Sequence, residues 1–79
     1  MEEEYKKCLE NIKNTNPSDS QKLELYGLFK QINYGDNNSS KPWSWQLKES
    51  FKWQAWKNNI GKSEEKCMEL YIMLYNKIK

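Results

Sequence analysis

Ser18-Asp19-Ser20-Gln21-Lys22-Leu23-Glu24-Leu25-Tyr26-Gly27-Leu28-Phe29-Lys30-Gln31-Ile32-Asn33-Tyr34-Gly35 holds the start, the buried face and the stop of one helix. Ser18 and Gln21 have the spacing of a capping box, in which two side chains satisfy backbone N–H groups that a helix start leaves bare. Leu25, Leu28, Phe29 and Ile32 recur at helical spacing and form an apolar stripe. Gly35 ends the run because it accepts a left-handed backbone that other residues resist. The same reading, extended outward, yields three more helices. The first spans Glu2 to Asn14, with Tyr5, Cys8, Leu9 and Ile12 on one face. Asn14-Thr15-Asn16-Pro17 breaks it, since Asn and Thr compete for backbone hydrogen bonds and Pro17 disfavours helical geometry at Asn16. The third spans about Gln46 to Asn59, with Trp53, Trp56 and Ile60 directed to the core and Gly61 as its stop. Ser63 caps the fourth, helped by Glu64 and Glu65 near the positive end of the helix dipole. Met68, Tyr71, Leu74 or Tyr75, and Ile78 carry its apolar face to the C-terminus.

Asp36 to Ser44 is the longest irregular stretch, and Pro42 excludes a continuous helix there. No alternating strand pattern of useful length occurs, so the expectation is an all-α small helical bundle in a single domain over residues 1–79. A chain of this length buries about 60–65% of the surface it exposes when unfolded, too little for a deep catalytic cleft beside a regulatory unit. Net charge is +2, from 13 lysines and 11 acids, with no arginine and no histidine. That balance is far from the cationic bias of a dedicated nucleic-acid binder. Cys8 and Cys67 each fall in an apolar stripe, which predicts buried or half-buried free thiols. No apolar run approaches the roughly 18–20 residues needed to cross a bilayer. Met1-Glu2-Glu3-Glu4 is acidic and unlike a signal peptide, so the expectation is a cytoplasmic protein without stable membrane insertion.

Catalytic chemistry finds little support. Without histidine there is no Ser-His or Cys-His dyad. The clustered acids Glu2-Glu3-Glu4 and Glu64-Glu65 fall at helix starts, where the dipole accounts for them. Two distant cysteines do not make a zinc site, and three glycines form no phosphate-binding loop. The sequence therefore predicts neither an enzyme nor a bound metal or cofactor.

Binding is better supported. Lys22, Tyr26 and Lys30 recur every four residues and share a helix face, with Phe29 beside them. Lys48 and Lys52 are also four apart, close to the two tryptophans. Rings stack on flat heterocycles and lysines neutralise phosphates, so this pairing suits an amphipathic, phosphorylated ligand. The same pattern also describes a solvated lysine face above an ordinary aromatic core. A protein-interaction bundle or a weak nucleic-acid module remains compatible with periodicity alone.

A series of segments narrows this choice. Pro17-x-Asp19, Leu25-Tyr26, Phe29-Lys30-Gln31, Gly35-Asp36, Lys41-Pro42, Lys52-Trp53-x-Ala55-Trp56 and Ser63-x-x-x-Cys67-Met68-x-x-Tyr71 together resemble the acyl-CoA-binding protein family. The resemblance runs in order along essentially the whole chain. It implies a four-helix bundle of up-down-down-up topology that carries or buffers long-chain acyl-CoA, with acyl-CoA-using enzymes as further partners. A monomer is expected separately, because the apolar stripes are consumed by the intramolecular core. Tyr26 would contact the CoA head, and Phe29 would stack on adenine. Lys30 and Lys52 would bind the CoA phosphates, notably the 3′-phosphate, and Tyr71 would lie near the ligand. Lys13 and Lys48 would add basic contacts, although the first inter-helix turn is shorter here than in the family. Phe29 replaces the usual tyrosine and lacks its hydroxyl, and Ile32-Asn33 stands where small residues are usual. Trp43-Ser44-Trp45 is an unusual continuation of Lys41-Pro42, near the expected path of an acyl chain, and the two rings are expected to tune chain-length preference.

Overall fold

Capping chemistry sets the element ends in the computed structural model, which describes residues 1–79. The helices are α1 (Glu2–Asn11), α2 (Asp19–Tyr34), α3 (Leu47–Lys57) and α4 (Glu64–Ile78), with a 3₁₀ turn at Ile12–Asn14. The α2 start is the expected capping box: Gln21 N–H donates to Ser18 Oγ at 3.1 Å and Ser18 N–H to Gln21 Oε1 at 2.8 Å. Gly35 and Gly61 have positive φ, 76° and 83°, as their stopping roles require. The α-helical part of α1 ends earlier than its apolar pattern predicts. Thr15 donates both its N–H and its hydroxyl to Ile12 O, and this tightens the last turn into a 3₁₀ helix. No helix is long and apolar enough to cross a membrane.

Residue pairings define the topology. Lys52 lies over Tyr26, and Lys30 lies over Trp56, so α2 and α3 run parallel. Gln31, near the end of α2, donates to the carbonyl of Lys62 just before α4, so those two helices are antiparallel. The first residues of α1 share a surface cavity with Ser63, Glu64 and Glu65, and Tyr5 meets Tyr71 edge-on at 5.2 Å. α1 and α4 are therefore parallel. The result is an up-down-down-up bundle.

The buried core lies among α1, α2 and α4: Tyr5, Cys8, Leu25, Leu28, Ile32, Cys67, Met68 and Tyr71. Both cysteines are buried free thiols, and burial pushes each above the ordinary thiol range. α3 contributes no buried residue, contrary to the expectation that Trp53, Trp56 and Ile60 face the core. Ile60 is exposed. The tryptophans are half-buried and hold the α2–α3 connection instead. Trp56 Nε1–H donates to Gly35 O at 2.8 Å, and Trp53 Nε1–H donates to Ser39 O at 3.0 Å.

Parallel packing of consecutive helices requires that connection to run back along α3. Asn37, fully buried, donates to Trp53 O, while its own carbonyl accepts from Lys57 Nζ. Asp36 Oδ1 accepts from Gly61 N–H and from Gln31 Nε2, tying the end of α2 to the turn before α4. Those bonds, led by the one from Gly61, hold the Asp36 carboxyl below its usual range. The α2–α3 crossing itself depends on Gly27, where a Cβ would collide with the backbone carbonyl of Ala55.

Candidate functional site

The parallel crossing brings two lysine stripes together. Lys22, Tyr26, Lys30 and Tyr34 follow one face of α2, while Lys48, Lys52 and Trp56 follow one face of α3. Gly27 lets the helices approach closely enough for these faces to meet. The Lys30 ammonium lies 4.4 Å from the Tyr34 ring centre, 5.1 Å from Trp56 and 5.8 Å from Tyr26. The Lys52 ammonium lies 5.3 Å from the same Tyr26 ring. Two cations thus converge on one half-buried phenol ring, an arrangement favoured by ring quadrupoles. Lys52 has a single distant carboxylate neighbour, Glu49 at 3.9 Å, and both side chains of that pair are exposed. Such a pair contributes little stability, and Lys30 forms no ion pair. The face therefore carries uncompensated positive charge above aromatic rings, suited to an anion attached to a flat ring system.

Of the residues singled out in the sequence, Tyr26, Lys30 and Lys52 form the centre of this cluster. Lys48 is exposed one turn before Lys52 on the same stripe. Phe29 is 38% exposed rather than core, next to Lys30 along the chain. Lys13 is exposed on the 3₁₀ turn after α1, outside the cluster's ring contacts. Tyr71 belongs to the core and is 4% exposed, so its ring is not on the lysine-bearing face. Burial, reinforced by Tyr5 and Cys8, pushes its phenol up to about 12, so the hydroxyl stays protonated well into the alkaline range. Tyr5 is also raised, chiefly by burial, and its hydroxyl is enclosed without a partner although the Asn33 amide adjoins it.

Tyr34 was missed by the sequence reading, and Trp56 was read as core rather than as part of this cluster. Their rings lie 6.1 Å apart and flank Lys30. The signal was present, because each sits four residues beyond a lysine already singled out: Tyr34 after Lys30 and Trp56 after Lys52.

On the other side of the crossing lies a cavity of about 570 Å³ between α2, α3 and α4. Leu23, Leu28, Phe51, Leu70, Met73 and Leu74 supply its apolar wall, with Lys62 and Lys77 also lining it. That volume falls in the range of small-molecule sites. Leu23 and Phe51 stand one turn before Gly27 and Ala55 on their helices, so the cavity meets the α2–α3 seam from the far side, and none of Tyr26, Lys30 or Lys52 lines it. Neither Trp43 nor Trp45 lines it; both are highly exposed.

An apolar cavity and a cationic, ring-bearing face on two sides of one helix crossing define a small helical binding domain. The acyl-CoA-binding protein family profile matches residues 2–75, and the chain belongs to that family. It is similar to the acyl-CoA-binding protein of Saccharomyces cerevisiae, 44% identical across 81% of this chain and 74% of the yeast protein. The Gossypium hirsutum acyl-CoA-binding protein is 40% identical across 91% of this chain and 83% of its own length. The crystal structure of Oryza sativa acyl-CoA-binding protein 2 superposes with a TM-score of 0.90 at 37% identity, covering 98% of this chain and 88% of the rice chain.

Proposed function

We propose that this protein binds long-chain acyl-CoA and serves as a cytoplasmic, monomeric carrier and buffer for it, without catalysing its chemistry. The observation that carries the reading is the convergence of Lys30 and Lys52 on Tyr26, with an apolar cavity across the same helix seam, in a member of this family. Lys30 and Lys52 take the CoA phosphates, with Lys48 and Lys13 adding longer-range attraction. Phe29 stacks on adenine and Tyr26 supports the head group, while Tyr71, buried in the core, lies near the ligand without sharing the lysine-bearing face. The acyl tail crosses the seam past Leu23 and Phe51 and enters the cavity.

Magnitudes divide the labour. Burying a CH₂ is worth about 0.8 kcal/mol, so a tail of about sixteen carbons gains on the order of 10 kcal/mol before ordering costs. Each charge-assisted hydrogen bond adds roughly 1.5–3 kcal/mol and the ring stack about 1–3. The tail supplies most of the affinity, and the head selects CoA esters over free fatty acids. Titration calorimetry with palmitoyl-CoA, free CoA and palmitate tests this. The ester should bind far more tightly than either part, and equal binding of palmitate would overturn the assignment of the lysines.

A further inference from the structure

Four large apolar side chains stand exposed within nine residues at the start of α3: Trp43 (74%), Trp45 (75%), Leu47 (63%) and Phe51 (58%). They do not hang on a loose segment. Trp43 N–H donates to Gln46 Oε1 at 3.1 Å, and Trp43 O accepts from Gln46 N–H at 2.9 Å, so the turn is closed onto the helix start. Trp43, Trp45 and Leu47 do not line the apolar cavity, whereas Phe51 also forms part of its wall. Nothing in the core uses the two tryptophans.

The surrounding charge identifies what such a surface fits. Residues 37–63 carry five lysines and one acid, Glu49, whereas the remainder of the chain is net acidic. Lys41 and Lys48 flank the aromatic turn in sequence. Indole rings, apolar enough to leave water yet carrying an N–H, favour the boundary between lipid head groups and acyl chains, and flanking lysines favour anionic lipids. A second copy of this chain would bring like charge against like.

We propose that the Trp43–Phe51 surface docks reversibly on an anionic lipid bilayer. The role assigned to it rests on the acyl-CoA reading above: Phe51 belongs both to the exposed patch and to the cavity wall, so an acyl tail passes between membrane and protein at that residue. The contact is peripheral, and no segment inserts across the bilayer.

The test uses ligand-free protein and phosphatidylcholine vesicles with and without phosphatidylserine. The protein should float with the phosphatidylserine vesicles, less so as salt rises. Lipids brominated in the upper acyl chain should quench part of the tryptophan emission. Trp43→Ser combined with Trp45→Ser should lower partitioning about tenfold or more, and Lys41→Glu severalfold. Circular dichroism checks that the variants fold, as the exposure of these side chains leads one to expect. The proposal is overturned if the wild type ignores both vesicle types or if the double variant partitions like the wild type. A dimer seen by sedimentation and abolished by the double variant, without vesicle binding, would also overturn it by assigning the patch to a second copy. Acyl-CoA titration without vesicles reports separately on the ligand reading. Failure there removes the ligand and leaves the vesicle result standing.

Discussion

Lys30 sits where three aromatic rings approach its ammonium, and Lys52 shares one of those rings. Each charge is held in place without a strong carboxylate partner, so under the proposed function little would have to be broken for a phosphate to bind. Replacing either lysine with alanine should weaken acyl-CoA binding about tenfold or more, the worth of roughly 1.4 kcal/mol. Calorimetry on each variant measures this, and unchanged affinity would remove that lysine from the site. Phe29 is exposed to solvent. Phe29→Ala should cost about 1 kcal/mol or more of binding, while Phe29→Tyr should retain it, because stacking needs the ring and not a hydroxyl. Fluorescence titration with a chromophoric acyl-CoA would distinguish the two variants.

α3 is the element that depends most on its neighbours. It buries no residue in the main core, and its place is set by the Gly27 crossing and by tryptophan bonds to the returning loop. Gly27→Ala should improve helix propensity yet lower the melting temperature. The new methyl forces α2 and α3 apart at a cost of about 1–3 kcal/mol, more than the roughly 1 kcal/mol gained. Binding should fall with it, since the two lysines would separate. A higher melting temperature would show that the helices do not need this closeness. Trp56→Phe keeps a ring beside Lys30 but leaves the Gly35 carbonyl without its donor. Urea unfolding should register a loss of about 1–3 kcal/mol, with a smaller effect on ligand affinity. The distinction between core and staple matters here, because a purely packing role for Trp56 would make phenylalanine a mild substitution.

Across the whole molecule, α1 and α4 are joined through Tyr5 and Tyr71. Burial raises the Tyr71 phenol from 10.0 to about 12, so the folded protein keeps a proton that the unfolded chain releases earlier. Stability is then complete below about pH 10 and declines as pH rises toward 12, because the folded state binds more protons across that interval. Denaturant titrations at stepped alkaline pH should show this slope, and Tyr71→Phe should flatten part of it. The helices, their caps and most of the core were legible in the sequence, because capping boxes, glycine stops and apolar spacing are local. So were Tyr26, Lys30 and Lys52, through four-residue spacing and family segments. The destinations of Trp53, Trp56, Phe29 and Ile60 were not, because periodicity says which residues share a face but not whether another helix covers that face. Only the parallel α2–α3 crossing decided that the two lysine stripes meet, that Tyr34 and Trp56 flank them, and that an apolar cavity opens across the seam. Each of those facts comes from contacts between residues distant in the chain, where close approach at a glycine and donors for a loop's carbonyls outweigh the preferences of any single helix.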